Sequence, residues 1–267
     1  MTEAINNYCK ALRLAGVMKN YPACASDCAK KSMSYSEFLL KILESENTER
    51  TERSKKTILR FAGFPVIKTL EMFDFASSNV NKTQISELSS LKFIERAENV
   101  ILVGPSGVGK THIALSLGYL AAQKRIKTRF VSLPSMLLQL EIAKEQNRLK
   151  EYLKKSISTV SLLIIDEIGY VKLNESQANL FFQLINKKYE TGSVIITSNL
   201  SFLKWKEILN NDEALTAAVL DRLIHHSHII NITGESFRLK QKKKAGIFYD
   251  KDDIRRKFTI KKGLTGA

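Results

Sequence analysis

The chain has 267 residues, 44% of them hydrophobic, and carries a formal net charge of +15. This length suffices for one domain of about 150–200 residues with its own core, plus a smaller domain. The longest apolar runs, such as 162–165 and 193–197, have the length of strands and exclude a membrane-spanning helix. The first residues lack the layout of a secretion signal, so we expect a cytoplasmic protein.

The positive charge favours a polyanionic partner, either nucleic acid or an anionic membrane surface, over a role in solubility alone. Residues 238–262 contain eleven Lys or Arg and three Asp, so about half of the excess charge lies there. We therefore predict a basic C-terminal tail at 247–267, which follows the folded domains.

Residues 1–78 are predicted to form a small all-helical N-terminal domain that binds DNA or a partner. Apolar residues recur at helical spacing, and no convincing alternating run is present. Ser36-Glu37 and Thr51-Glu52 are candidate helix starts. Ser77-Ser78-Asn79 breaks the helical pattern and predicts a linker before the second domain.

Strands and helices alternate from about residue 99. Strands are predicted at 100–103, 128–133, 161–165, 194–198 and 228–232, with helices at 110–124, 177–189 and 214–225 and a charged helical stretch at 134–155. This alternation predicts an α/β domain at 79–246 with a five-stranded parallel sheet covered on both faces. Right-handed crossovers place the carboxyl ends of all strands at one edge, where ligands bind.

A phosphate-binding loop follows the first of these strands. The loop consists of Gly104, Pro105, Ser106, Gly107, Val108, Gly109, Lys110 and Thr111 and fits the pattern at every fixed position, between a strand and a helix. Its amides converge on phosphate oxygens at a helix N-terminus, and Lys110 can reach the β- and γ-phosphates. We therefore predict ATP as the ligand, with His112 and Asp166 completing the binding set.

An acid pair, Asp166-Glu167, ends the apolar run that begins at Leu162. After a phosphate loop, such an aspartate holds Mg²⁺ together with the loop hydroxyl, here that of Thr111. Glu167 can polarise an attacking water, which a small-molecule kinase would not require. The acid pair therefore favours an ATPase over a kinase, with Mg²⁺ as a cofactor.

Asn199 and Arg222 are further candidates for catalysis. Asn199 follows a buried strand, where it can orient the attacking water, or can simply cap the turn. Arg222 lies on an amphipathic helix, either as a solvated surface charge or as an arginine finger acting on the ATP of a neighbouring subunit. Arg238 has a similar ambiguity.

Metal binding beyond Mg²⁺ is not predicted. One group of candidate ligands consists of Cys9, Cys24 and Cys28, and a second consists of His225, His226 and His228. Neither group has a second ligand pair at metal-binding spacing. We interpret the cysteines as reduced thiols on a helical segment and the histidines as packing or polar contacts.

The charged stretch 134–155 carries candidate DNA contacts. If the stretch is a continuous helix, Lys144, Arg148 and Lys155 fall close to one face, with Lys150 and Lys154 nearby. A charged helix is usually a solvated face, but in a chain this basic, contact with DNA phosphates is an equal alternative.

Six sequence blocks together resemble the IstB-like ATPases. They are residues 104–111, 162–170, 179–184, 196–199, Leu220-Asp-Arg-Leu-Ile-His-His226 and Gly234-Glu-Ser-Phe-Arg-Leu239. These proteins are AAA+ helpers encoded by insertion sequences beside their transposase, and relatives of the DnaC helicase loaders. The resemblance is close over 90–246 and looser over the helical N-terminal region.

The resemblance implies a AAA+ core whose lid is reduced or absent. It also implies that ATP drives self-assembly on double-stranded DNA, with each ATP site shared between neighbouring subunits of a homo-oligomer. Arg222 would be the trans-acting finger, and 134–155 would be a helical insertion that faces DNA. The protein would help to select target DNA and stimulate the transposase. A sensor arginine usually lies on the lid, which leaves the role of Arg238 open.

A helicase loader that grips a replicative helicase through its N-terminal helices is the alternative function. Both hypotheses share the ATPase core, so the core does not separate them. The basic tail and the block that begins at Gly234 favour transposition.

Overall fold

The structure is a computed structural model that describes residues 2–189 and 191–237. Its N-terminal part is helical: α1 is Thr2–Ala11, α2 is Ala15–Lys30 and α3 is Tyr35–Ala62. The three helices pack around a small apolar cluster that includes Cys9, Val17 and Ile42. Cys24 and Cys28 lie on α2 with their Sγ atoms 4.0 Å apart, and all three cysteines are free thiols.

Helix α3 is capped by Ser34 and runs without interruption from Tyr35 to Ala62. The Ser34 hydroxyl accepts a hydrogen bond from the Glu37 amide, and the Glu37 carboxylate accepts one from the Ser34 amide, which is a capping box. The helix therefore starts slightly before the predicted start at Ser36, because Ser34 is the capping residue. The predicted start at Thr51 is wrong, because Thr51 lies inside α3, where pairs such as Glu46–Arg50 support the helix along its length.

A connecting segment, residues 63–81, follows α3. Gly63 ends the helix in the left-handed conformation with φ of 69°. A single 3₁₀ turn, Leu70–Met72, is the regular element in this segment, and the predicted linker residues 77–79 lie outside any helix. Phe73 packs into the same apolar cluster as strand residues such as Val100, with Phe64 and Phe75 against its border. The connecting segment is therefore packed against the sheet domain.

The second part of the chain contains the predicted parallel sheet. The strands are β1 Asn99–Val103, β2 Thr128–Ser132, β3 Leu162–Ile168, β4 Ser193–Ser198 and β5 Ser227–Asn231. They pair in the order β2-β3-β4-β1-β5, and every pairing is parallel. The α/β fold with five parallel strands is thus confirmed. Strand β3 continues three residues beyond its predicted end.

Helices cover both faces of the sheet. They are α4 Lys82–Ser89, α5 Lys92–Glu95, α6 Lys110–Gln123, α7 Leu133–Glu145, α8 Leu149–Tyr152, α9 Glu175–Lys188, α10 Trp205–Ile208 and α11 Glu213–Ile224. One face packs against α7, α9, α10 and α11. The other packs against α4, α5, α6 and the connecting segment. In the described part of the chain, no helix has the length and apolar content needed to cross a bilayer.

The stretch 134–155 is not one continuous helix. Helix α7 ends at Glu145, and Asn147 adopts a left-handed φ of 55°, which Asn tolerates better than most residues. Helix α8 begins after this break, at Leu149, and is followed by a π-helix at Leu153–Ile157. The premise of one continuous helix, on which the shared face of Lys144, Arg148 and Lys155 depends, is therefore not met, because Lys144 lies on α7, Arg148 precedes α8 and Lys155 lies on the π-helix.

Lys188 is an unusual core residue in the last turn of α9. Only 1% of its surface is exposed, and its Nζ donates to the Val160 carbonyl oxygen at 2.6 Å. A Cβ at Gly192 would collide with this ammonium group. Burial disfavours the charged form and lowers the pKa of Lys188 from 10.5 to about 8.

The pKa of Lys188 predicts a pH-dependent stability. Between about pH 8 and 10.5 the unfolded chain retains a proton that the folded chain has lost, so the free energy of unfolding rises with pH. Relative to Lys188→Met, wild type should gain about 1–2 kcal/mol between pH 7.5 and 9.5. Denaturant unfolding of both proteins across this window measures the difference. A difference that stays constant with pH would contradict the prediction.

Candidate active site

The phosphate loop connects β1 to α6 and closes on the backbone that follows β5. Gly104 and Gly107 have φ values of 153° and 83°, a region that other residues rarely adopt. A Cβ at Gly104 would collide with the Ile232 carbonyl oxygen, and one at Gly107 with the Ser236 hydroxyl. The Gly107 carbonyl oxygen also accepts a hydrogen bond from the Phe237 amide at 3.0 Å. Glycine is required here because the chain approaches the loop too closely for a side chain.

Lys110 lies in the first turn of α6 with 7% of its surface exposed. Its Nζ donates to the carbonyl oxygens of Gly104 and Pro105, each at 2.7 Å. The ammonium group is therefore held inside the loop, at the N-terminus of a 14-residue helix. The positive end of the helix dipole and this cation together favour a bound anion.

Asp166 lies at the carboxyl end of β3 with 5% of its surface exposed. The Thr111 hydroxyl donates to both Asp166 oxygens, at 2.9 and 3.1 Å, and the Thr197 hydroxyl donates to Oδ1 at 2.5 Å. Thr111 and Asp166 thus bring a hydroxyl and a carboxylate together beside the phosphate loop. Mg²⁺ prefers hard oxygen ligands of this type, so these residues fit the predicted metal site.

Glu167 projects into the open space next to the loop. It is exposed, and its φ of 67° is rare for a residue other than glycine. The pairing of β3 with β4 shifts register here, and the Glu167 amide donates to the Thr197 hydroxyl at 3.0 Å. Glu167 is therefore the more accessible member of the acid pair.

Asn199 directly follows β4, which lies between the strand of the phosphate loop and the strand of the acid pair. Its Oδ1 is buried and, among the described residues, has no hydrogen-bond partner. A Cβ at Gly169 would collide with this oxygen, so glycine at 169 leaves room for the Asn199 side chain. The strand order therefore places Asn199 between the phosphate loop and the acids.

A cavity of about 400 Å³ joins these groups. Its walls include the phosphate loop, Glu167, Thr197 and Asn199. The remaining lining was not predicted from the sequence: Val66, Lys68, Met72, Phe73, Asp74, Ser77, Ser78, Leu115, Tyr170, Glu235 and Phe237. Part of this set comes from the connecting segment, which carries no recognisable motif. The Tyr170 hydroxyl lies 3.1 Å from the Ser106 hydroxyl. The chain that follows β3, the strand of the acid pair, thereby contacts the phosphate loop across the cavity.

His112, which the sequence analysis includes in the ATP-binding set, borders the cavity and also holds the connecting segment in place. Its Nε2 lies 2.9 Å from the Thr69 carbonyl oxygen, so the proton resides on this nitrogen. Its ring meets Phe73 edge to face with centroids 5.4 Å apart. The first turn of α6 thereby joins the wall of the cavity to the phosphate loop.

Arg222 does not border this cavity. It lies on α11 beside the first residues of β1 and β4, at the amino edge of the sheet, whereas the phosphate loop lies at the carboxyl edge. Its guanidinium group stands 5.0 Å from the centroid of Phe182, and it donates to Asn186 Oδ1 at 3.0 Å and to the Ala218 carbonyl at 2.8 Å. The structure therefore separates Arg222 from the phosphate loop of its own chain.

The five cations proposed to contact DNA are exposed and lie away from the cavity. Lys144 Nζ donates to the Ser176 hydroxyl at 2.9 Å, and Arg148 and Lys155 both pair with Glu151, at 3.2 and 2.7 Å. Lys150 and Lys154 are also on the surface. Arg238 and the basic tail at 247–267 lie outside the described residues, and the reduced or absent lid stays a prediction.

A phosphate loop between a parallel strand and a helix, with an acid pair on a strand separated from it by one intervening strand, defines a P-loop protein of the AAA+ type. The model of the IstB-like ATP binding protein family matches residues 7–245. This chain therefore belongs to the IstB-like family of ATP-binding proteins.

Individual relatives agree with this assignment. A protein of insertion sequence IS21 from Pseudomonas aeruginosa, named as ATP-binding, is 43% identical over 237 residues, which are 88% of this chain and 89% of the relative. The corresponding protein of insertion sequence IS5376 from Geobacillus stearothermophilus is 41% identical over 91% of this chain and 96% of its own length.

Solved structures share the fold at lower identity. DnaI superposes with a TM-score of 0.52 and 19% identity over 67% of this chain and 94% of DnaI. AMPPCP-bound DnaA from Aquifex aeolicus gives 0.51 and 19%, over 69% of this chain and 57% of DnaA. These similarities support the AAA+ fold.

The position of Lys110 predicts the effect of its removal on nucleotide binding. Lys110→Ala should weaken ATP binding by about 100-fold or more, because charge-assisted hydrogen bonds to phosphate are lost inside the loop. Lys124→Ala, at the exposed opposite end of α6, is the matched control and should bind ATP normally. Calorimetric titration measures both affinities, and an affinity of Lys110→Ala within twofold of wild type would exclude this role.

Proposed function

We propose that this protein is an ATPase that assembles on double-stranded DNA and stimulates the transposase of its insertion sequence. The observation that carries the proposal is the continuous polar cluster of Thr111, Asp166, Thr197 and Glu167 beside the phosphate loop. Binding of ATP alone does not require an exposed carboxylate next to a metal-binding aspartate, whereas in hydrolysis such a carboxylate can accept a proton from the attacking water.

The phosphate loop and the polar residues beside it have distinct roles in the proposed reaction. The loop amides and Lys110 bind the phosphates, while Thr111 and Asp166 hold Mg²⁺, which when bound supplies positive charge to the phosphate oxygens. Glu167 accepts a proton from the attacking water. Asn199 orients that water or contacts the γ-phosphate, for which its placement between loop and acids is suitable.

The family relationship supports the transposition role. The relatives that are more than 40% identical belong to insertion sequences, and they are matched over most of their length. The net charge of +15 suits a DNA-bound assembly, with Lys144, Arg148, Lys150, Lys154 and Lys155 as surface cations for phosphate contact. We infer that a transposase encoded beside this protein is the partner that the assembly recruits.

Glu167→Gln separates nucleotide binding from hydrolysis. The variant should bind ATP with Mg²⁺ as wild type does but hydrolyse it about 100-fold or more slowly, since an amide does not act as a base. It should also remain longer on duplex DNA in the presence of ATP, because hydrolysis ends the assembled state. Phosphate release and DNA retention measure the two effects.

Glu175→Gln is the control for Glu167→Gln, because it changes an exposed acid in the first turn of α9. It should leave both turnover and DNA retention unchanged. Turnover of Glu167→Gln equal to that of wild type would remove Glu167 from the mechanism.

The location of Arg222 predicts an active site shared between subunits. Because Arg222 lies at the edge of the sheet opposite its own loop, we propose that it reaches the γ-phosphate bound by a neighbouring subunit. Arg222→Ala should bind ATP nearly normally but hydrolyse it about 1,000-fold more slowly. Mixing Arg222→Ala with Lys110→Ala should restore part of the activity, because an intact loop meets an intact arginine at some interfaces.

The control mixture contains Arg222→Ala and the double variant Lys110→Ala/Arg222→Ala. It has intact loops but no intact arginine, so it should remain inactive. If co-purification through a tag on one variant confirms mixed assemblies and the first mixture is as inactive as the second, Arg222 does not act in trans.

A further inference from the structure

A β-bulge places the acid pair opposite a single residue. Ile165 pairs with Ile196 and Ile168 pairs with Ser198, so Asp166 and Glu167 together face Thr197 on β4. A bulge leaves the extra residue without its normal ladder partner. The Glu167 amide therefore needs an acceptor that the backbone of β4 does not provide.

The Thr197 hydroxyl provides this acceptor. Its Oγ1 accepts from the Glu167 amide at 3.0 Å and donates to Asp166 Oδ1 at 2.5 Å, while the residue is only 1% exposed. An amide can only donate and an ionised carboxylate can only accept, so both directions are fixed for a hydroxyl with one proton. Thr197 thus joins the two acids through one oxygen atom.

This hydrogen bond also supports a strained backbone. Glu167 has a φ of 67°, which costs free energy in a residue with a Cβ and persists when the surroundings enforce it. The bond to its amide is a contact that restrains the peptide plane on the N-terminal side of this residue. Without the hydroxyl, the amide would be a partly buried donor without an acceptor, and the bulge could relax to another conformation.

We propose that Thr197 is a positioning residue that holds Glu167 in place for water activation and links its orientation to Asp166. The proposal rests on the proposed function, in which Glu167 is the base and Asp166 holds the metal. A continuous chain of hydrogen bonds runs from Thr111 of the phosphate loop through Asp166 and Thr197 to the Glu167 amide. Thr197 acts through Glu167 and does not itself touch the nucleotide in this account.

Two substitutions at Thr197 separate positioning from packing. Valine matches the shape of threonine but lacks the hydroxyl, whereas serine keeps the hydroxyl and loses a methyl group. If the hydroxyl positions Glu167, Thr197→Val should lower kcat about 10- to 100-fold with little change in KM, and Thr197→Ser should restore most of the activity. If Thr197 only fills space, the order is reversed, with valine more active than serine.

A double-mutant cycle tests whether Thr197 works through Glu167. Glu167→Gln already removes the base, so adding Thr197→Val should slow the reaction by less than about twofold further. If the factors by which the two substitutions lower kcat multiply in the double variant, Thr197 acts independently of Glu167 and the proposal is overturned. Thr128→Val is the matched control, since Thr128 is also a buried strand threonine, but its hydroxyl bonds to the Ile126 carbonyl, away from the site. Its kcat should equal that of wild type.

Steady-state ATPase assays on wild type and these variants, with ATP affinity measured in parallel, distinguish the possible failures. If wild type itself does not hydrolyse ATP, the proposed function fails. If wild type is active and Thr197→Val is equally active, or Thr197→Ser is as slow as Thr197→Val, the positioning role alone fails. Should Thr197→Val not fold, Thr197→Cys takes its place, because a thiol is small and a weak hydrogen-bonding group. An activity of Thr197→Cys equal to that of Thr197→Ser would then overturn the proposal.

Discussion

Parallel pairing of the five strands is the constraint on which the rest of the structure depends. Because all strands point the same way, the residues that follow β1, β3 and β4 meet at one edge. The phosphate loop, Glu167 and Asn199 are distant in sequence, yet they line one cavity for this reason. The inner strands β1, β3 and β4 have apolar cores with exposures near zero, so their alignment is fixed by burial.

Two buried charged groups at the polar edge of the sheet, those of Asp166 and Lys110, are stabilised by hydrogen-bond partners. Asp166 would be costly in this apolar surrounding without the hydroxyls of Thr111 and Thr197. Lys110 is similarly held by two carbonyl oxygens of its own loop. The same hydrogen bonds that satisfy these groups also fix their geometry.

The sequence predicted those parts of the molecule that depend on local patterns. The glycines and the lysine of the phosphate loop are contiguous, and each inner strand is a short apolar run, so the order of elements in the sheet domain follows directly. The break at Asn147 was missed because one residue in a left-handed conformation has no periodic signature. The capping box at Ser34 was missed in favour of Ser36, although its Ser-x-x-Glu pattern was present in the sequence.

Other features depend on contacts between distant residues and could not be read from the sequence. Thr197 meets the acid pair through the register of β3 and β4, which no local pattern specifies. The connecting segment lines the cavity through contacts with α6, such as that between Thr69 and His112. The catalytic roles of Glu167, Asn199 and Arg222 stay predictions, as do the DNA contacts.

The unbroken helix α3 has a consequence for signalling within the molecule. One of its ends belongs to the N-terminal helices, while its other end contacts α6 and β2 and leads through Gly63 into the cavity wall. A partner that displaces α3 by binding to the N-terminal helices would therefore reshape the cavity. Thermodynamic linkage then requires that the two effects be equal: nucleotide changes the affinity for the partner by the same factor as the partner changes the affinity for nucleotide. The N-terminal helices and the cavity would respond to each other without any direct contact between their ligands.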